Sequence, residues 1–334
     1  TVSEEGYTNG YTSCANAYFK LTNDIDLKGC EWEPVGTGNA VFNGHFDGNG
    51  HVIRNFHIIN YNGGYNYVRV HMTPGDSSWT YLYTDKVHKY NGFFGITGAN
   101  SVVENLGIEN AKINFWNHDY HYNIQVGENY QYISSDSYRA RNNGVMVGYT
   151  DGKFINCYVK NSEIKNMSRD IHDSGVGGFA GVAKATSSFE GCYVKDTKFT
   201  ASYYSLLNGF VAKSEGNATF KNCYVAGVEE NLDFASHIGK ETTKYGFGYA
   251  GRSINEQNCI SDMADYASQT DGSATYYTAN SIGTTSADKD AIINTVASYE
   301  YLAPDNFDGN VNDGYPICLW QMTEKAKQKY DAES

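Results

Sequence analysis

Proline is scarce, and so are most features that would announce an activity. Four prolines in 334 residues argue against a polyproline linker or a long disordered tract. Charged residues make up 19%, below the usual ~25%. That charge leans acidic, with 25 Lys+Arg against 38 Asp+Glu and a formal net charge of −13. No stretch concentrates Lys and Arg, so a nucleic-acid backbone or an anionic membrane surface is a poor partner. No apolar run approaches the ~18 residues of a membrane-spanning helix, so no membrane insertion is expected. The opening TVSEEGYTNG lacks the basic and apolar regions of a signal peptide, and the chain reads as a processed or excised fragment. CxxC, HExxH, a P-loop and a G-x-S-x-G elbow are all missing, which removes support for zinc ribbons, zincin peptidases, NTPases and α/β-hydrolases. Gly175-Val-Gly-Gly has no βαβ context for a dinucleotide.

What is present is 35 Gly, 29 Tyr and many Asn, Ser and Thr, the profile of a turn-rich, strand-rich chain. Seven cysteines, an odd number in a long chain, do not make a disulfide scaffold. Four of them recur in one context. Gly144-Val-Met-Val-Gly precedes Phe154-Ile-Asn-Cys157-Tyr-Val-Lys, and Gly178-Phe-Ala-Gly precedes Phe189-Glu-Gly-Cys192-Tyr-Val-Lys. Gly209-Phe-Val-Ala precedes Phe220-Lys-Asn-Cys223-Tyr-Val, and Gly246-Phe-Gly precedes Gln257-Asn-Cys259. The cysteine spacings are 35, 31 and 36. An upstream copy without Cys runs from Gly92-Phe-Phe-Gly to Val102-Val-Glu-Asn-Leu106.

Each unit is two or three short strands broken by Gly or Asn. Alternation of Phe154, Asn156 and Tyr158 against Ile155, Cys157 and Val159 assigns one set inward. One unit cannot bury that face, whereas stacked units bury it continuously. The expected fold is all-β, a right-handed parallel β-helix, with Cys157, Cys192 and Cys223 as an inward ladder of buried thiols.

Gly177-Gly-Phe-Ala-Gly181 with the Asn-Cys-Tyr and Gly-Cys-Tyr strands resembles the GLUG repeat of bacterial surface proteins. Tyr18-Phe-Lys-Leu-Thr-Asn-Asp-Ile-Asp-Leu27, Glu31-Trp-Glu-Pro-Val-Gly36 and Phe42-Asn-Gly-His-Phe-Asp-Gly-Asn-Gly-His-Val-Ile53 are similar to the opening coils of such domains. The pattern is also similar to the non-peptidase region of Gram-positive IgA-cleaving metalloproteases. The resemblance spans about residues 18–320. It implies a β-helix and a secreted or cell-surface bacterial location, and leaves activity open, because such repeats serve as adhesins, spacers and carbohydrate-active modules.

The expected organisation is one β-helix domain over 1–320. Residues 1–17 would cover the first coil, and 286–302 would form a helical cap with Ser286 or Asp288 at its start. Asp24 and Asp26 should satisfy backbone N–H groups at a corner. Residues 261–285 read as a surface loop and 321–334 as a fraying tail or linker. Two insertions, about 60–91 and 115–142, hold 11 of the 29 tyrosines. The first alternates as a hairpin turning near Thr73–Ser77, and both should emerge on one side of the helix.

Loops on a rigid scaffold are where function sits. Trp79, Tyr81, Tyr83, Trp116, His118, Tyr120 and Tyr122 form a candidate glycan platform, since sugar rings have apolar faces and polar rims. Asp119, Glu128, Asp136, Asp170 and Asp173 are the candidate carboxylates for glycoside cleavage, which needs a pair ~5–9.5 Å apart. Arg139 and Arg141 beside Tyr138 are a thinner case for a polysaccharide lyase. His118 and His121 could share zinc only on a helix. Asp47-Gly-Asn-Gly and Asp308-Gly-Asn-Val-Asn-Asp-Gly mimic Ca²⁺ loops but fail EF-hand spacing, so no cofactor is implied beyond a weak case for Ca²⁺. Whether Cys14 and Cys30 pair stays open. The sequence favours non-catalytic recognition of a neutral glycan, or adhesion, with polysaccharide, host glycan or host protein as partner and neighbouring modules in a longer chain. A glycoside hydrolase and a structural spacer are the alternatives.

Overall fold

The computed structural model describes residues 15–36, 40–60, 67–70, 80–83, 90–115, 121–126, 129–134, 142–166, 175–202, 206–233, 243–250, 254–264, 266–267, 281–296, 301–305 and 311–333. Short strands stack coil upon coil into a parallel β-helix. The coil around Cys157 runs through Asn142–Gly144, Val147–Thr150, Lys153–Ile155 with Tyr158–Lys160, and Glu163–Asn166. The next coil repeats that order, each strand parallel to its counterpart. Four walls result. The long wall is a 10-stranded sheet, the second wall begins at His57–Asn60 and has five strands, and the third and fourth, beginning at Tyr90–Asn91 and Phe94–Thr97, have six each.

Register turns the sequence repeat into columns. Phe154, Phe189 and Phe220 stack with ring centroids 5.6 and 5.0 Å apart. Phe179, Phe210 and Phe247 stack at 4.8 Å. Cys157, Cys192, Cys223 and Cys259 form another buried column, the expected thiol ladder with a fourth member. Burying each such phenylalanine contributes roughly 1.5–3 kcal/mol.

The alternation expected from Phe154 to Val159 does not run unbroken. Asn156 sits at φ 56°, in the left-handed region, and shifts the phase. Phe154, Cys157 and Val159 all enter the core, while Tyr158 joins a separate cluster outside the long wall. The same corner recurs at Asn105 (φ 51°), Gly191 (61°), Asn222 (52°) and Asn258 (55°). Asn visits this region more readily than most side chains because its short amide bonds locally. Here the amides also bond between coils: Asn156 Nδ2 donates to Asn105 Oδ1, and Asn258 Nδ2 to Asn222 Oδ1, both at 2.9 Å. A second left-handed column, Asn55, Asn110, Asn161, Asp196 and Gly227, turns each coil into the second wall.

The C-terminal third departs from expectation. The loop expected over 261–285 contains Tyr266–Ala267 and Ser281–Ile282, which pair antiparallel with the last strands of the third and fourth walls. That occupies edges which would otherwise be open. Helix α1 (Lys289–Val296) forms within the expected cap, and Asp288 Oδ1 accepts the Ala291 N–H at 2.8 Å. Its Ile292 and Val296 pack with Tyr224 and Ile260 on the outer face of the long wall, so the helix lies beside the solenoid core. From there a strap, residues 301–305 and 311–321, runs back along a tyrosine column. Tyr158, Tyr193 and Tyr224 stack at 4.9 Å, Trp320 stacks 5.5 Å from Tyr158, and Tyr315 stacks 6.4 Å from Tyr224. Trp320 Nε1 donates to the Asn156 carbonyl at 2.9 Å, and the Tyr193 hydroxyl donates to Gln321 at 2.9 Å. Beyond it, where fraying was expected, helix α2 (Glu324–Glu333) forms and buries Ala326 and Tyr330.

Candidate functional site

The two insertions leave the second wall side by side: His57–Asn60 and Lys112–Phe115 are parallel partners, with Asn60 opposite Phe115. They rejoin the third wall side by side, Tyr90 opposite Asn142. Both therefore occupy the same corner on consecutive coils. Tyr67–Val70 and Thr80–Tyr83 form one antiparallel hairpin, and His121–Val126 and Asn129–Ser134 form another. Ile133 and Ser134 then pair with Val70 and Arg69 across the two insertions. The hairpin-like loops expected from the sequence are thus fused into one four-stranded antiparallel sheet, with Asn129–Ser134 and Tyr67–Val70 as its inner strands.

The register sorts these strand residues by the period of two. One set of alternate positions holds Tyr67, Tyr81, Tyr83, Tyr130 and Tyr132, with Arg69, His121, Asn123, Gln125 and Ser134. The other holds Val68, Val70, Leu82, Ile124, Val126 and Ile133, with Thr80, Tyr122, Asn129 and Gln131. By register, the tyrosines gather in one set of alternate positions and the aliphatic residues mainly in the other. None of the four strands contains an acid.

Tyr81 and Tyr83 fall in the same set of alternate positions. Tyr122 is paired with Ile133 in the aliphatic set, apart from them. Trp79, Trp116, His118 and Tyr120 lie outside the described residues. The same set of positions also holds Tyr67, Arg69, Tyr130 and Tyr132, which the sequence reading left out of its candidate platform. The available signal was the alternation in Tyr130-Gln-Tyr132. His121 opens a strand, where residues three apart do not share a face.

The candidate acids Asp119, Glu128, Asp136, Asp170 and Asp173 also lie outside the described residues. Residues 167–174 connect Glu163–Asn166 to Gly175–Gly177, the same corner one coil on. The Glu128 connection joins one end of the second hairpin's ladder, at Val126 and Asn129. The connections carrying Asp119 and Asp136 join the other end, at His121 and Ser134. Five residue steps of strand separate those ends, about 17 Å.

The comparisons with known proteins add little about chemistry. No family model matches the chain. A 97-residue stretch is 32% identical to a "Putative Gly-rich membrane protein" of Evansella cellulosilytica, covering 27% of this chain and only 8% of that one. A solved chain from Bacteroides ovatus, titled a "putative immunoglobulin A1 protease", aligns over 92% of this chain and 88% of its own. Its identity is 18% and its TM-score 0.47. Among the described residues, no helix is long and apolar enough to cross a membrane.

Among the described residues, several other chemistry-bearing groups are engaged in structure. Burial raises the thiol pKa of Cys192, Cys223 and Cys259 well above the ordinary value, which keeps them neutral and poor nucleophiles. Cys30 is exposed; Cys14, and with it any pairing of the two, lies outside the described residues. Asp24 Oδ1 accepts the Val52 N–H at 3.1 Å and Asp26 Oδ1 the Lys28 N–H at 2.8 Å, the corner role expected for them. In the Ca²⁺-like stretches, Asp47 accepts the Asn49 N–H at 2.7 Å and pairs with Lys20 at 2.9 Å, while Asp313 pairs with Lys195 at 2.7 Å. Next to the second stretch, Asp305 accepts the N–H groups of Val311, Asn312 and Gly314. Among the described residues, no group of three His, Cys, Asp or Glu is placed to hold a metal. A groove of about 680 Å³ follows the second left-handed column, but its charged row, Lys112, Glu163, Lys198 and Glu229, alternates in sign.

Proposed function

We propose that this chain is a glycan-recognition or adhesion module that binds through the insert sheet and performs no chemistry on its ligand. The fusion of both insertions into one sheet, with five tyrosines on one set of alternate positions, carries this reading. Tyrosine offers a flat apolar ring and a hydroxyl at its rim, which suits a sugar ring. Strands fix such groups better than free loops and lower the ordering cost of binding. The acid-free strands support binding over hydrolysis. The GLUG-like repeats fit a module of a bacterial secreted or surface protein, related to the non-peptidase parts of IgA-cleaving enzymes and flanked by further domains.

A polysaccharide panel, scored both for retention on affinity gels and for released ends, tests this. Retention without product is expected, weakened at least tenfold by Tyr81→Ala and Tyr132→Ala. Reducing or unsaturated ends would overturn the non-catalytic reading and direct attention to Asp119, Asp136, Asp170 and Asp173. Neither retention nor product would leave the spacer.

A further inference from the structure

We infer that the groove along the second left-handed column is a second binding site, which takes the hydroxyl edge of a neutral, linear glycan lying along the solenoid axis. It stands on the groove's own residues and extends the glycan reading beyond the insert sheet. The two left-handed columns use their side chains differently. In the first, Asn156 bonds Asn105, and Asn258 bonds Asn222, amide to amide across coils. In the second, the backbone makes the link. The N–H of Asn110 donates to the Lys160 carbonyl, that of Asn161 to Lys195 and that of Asp196 to Ala226. The side-chain amides of Asn110 and Asn161 are exposed and make no hydrogen bond among the described residues. They line a groove of about 680 Å³, within the ~300–1,000 Å³ of ligand clefts.

Beside these amides runs the row Lys112, Glu163, Lys198 and Glu229, one residue per coil. Its two ammonium and two carboxylate groups cancel, and Asp196 in the same groove already accepts from Lys195. A ligand of either net charge gains little from such a row. Amide, ammonium and carboxylate side by side supply the donors and acceptors that neighbouring sugar hydroxyls need. No aromatic or large apolar side chain lines the groove, so lipid and apolar peptide have no seat. An extended peptide finds no open strand edge, because the N–H groups of Lys112, Glu163, Lys198 and Glu229 are all bonded to a neighbouring coil. Four coils at ~4.8 Å per step span about 14 Å, so the site favours a chain over a single sugar.

The test is calorimetric titration of the full chain with cellohexaose, mannohexaose and xylohexaose, each against its disaccharide, with a Gly-Ser hexapeptide as control. At least one hexaose is expected to bind tenfold or more tighter than its disaccharide, with an affinity indifferent to salt. It should also shift the side-chain amide NMR signals of Asn110 and Asn161. Asn161→Gly tolerates the left-handed backbone, and combined with Lys198→Ala it should weaken binding at least tenfold. Loss with this pair but not with Tyr81→Ala assigns the hexaose to the groove, and loss with both supports two sites. Loss only with Tyr81→Ala and Tyr132→Ala overturns the groove and leaves the insert sheet. A bound hexaose that leaves the Asn110 and Asn161 amides unshifted also overturns it, in the unaltered chain and so without any variant having to fold. Equal binding of the hexapeptide overturns the glycan assignment. Failure of every hexaose to bind overturns the inference, while the insert sheet stands if another glycan of the panel is retained.

Discussion

A Cβ atom placed on Gly191 would lie 2.2 Å from the Cβ of Tyr301, closer than real side chains approach. Gly191 stands where the neighbouring coils carry Asn156 and Asn222, and it shares their left-handed backbone at φ 61°. The strap crosses the long wall at this point, so an asparagine has no room. The amide ladder is interrupted there, and the buried Oδ1 of Asn156 has no hydrogen-bond donor.

Gly191→Asn should therefore lift the strap while leaving the coils intact. Overpacking of this kind costs typically 1–3 kcal/mol. Amides of 315–321 should exchange faster with solvent, while those of 193–195 stay protected. Unchanged exchange in the strap would refute the seating on Gly191.

Asn222→Ala removes an amide that accepts from Asn258 and leaves a side chain poorly suited to φ 52°. The two effects together cost about 2–4 kcal/mol. Asn222→Gly loses the amide but tolerates the backbone, so it should be the milder change in a urea titration. Equal losses would show that the left-handed corner contributes nothing.

Phe210 stacks 4.8 Å from both Phe179 and Phe247. Phe210→Ala opens a cavity in the middle of that column and should cost about 3–5 kcal/mol in chemical denaturation. A loss under 1 kcal/mol would mean that the column collapses to fill the gap.

Val70 and Ile133 are ladder partners from different insertions. Paired positions in antiparallel strands place Cα atoms about 4.5–5.5 Å apart, within the range a disulfide spans. A Val70→Cys, Ile133→Cys double variant, in a Cys30→Ser background, should oxidise to a cross-link detectable by peptide mass mapping. Absence of the cross-link would separate the two hairpins.

The buried thiols make the fold sensitive to alkali. Burial raises the folded pKa of Cys192, Cys223 and Cys259 above that of the unfolded chain, about 8.5. Their contribution is complete below the unfolded value and is lost as pH rises toward the raised folded values. The urea midpoint should fall between pH 8 and 10, and Cys192→Ala should flatten that slope. A midpoint flat across this window in the unaltered chain would contradict the buried ladder.

The repeated Phe, Asn-Cys-Tyr and Gly-Phe units by themselves determine the stacked coils, the phenylalanine and cysteine columns and the corner that carries both insertions. They do so because each unit must bury the same face against its neighbour, so equal spacing becomes equal register. Tertiary structure decided the rest. Left-handed Asn156 broke an alternation that a strict two-residue period extends through Val159, and so turned Tyr158 outward. The strap settled on that outward tyrosine column through partners more than a hundred residues away, such as Gln321 for Tyr193, which no local pattern encodes. The pairing of Ile133 with Val70 likewise joins segments one full coil apart. It decides which tyrosines share a face, because a shift of one residue in register would exchange the tyrosine set for the aliphatic one.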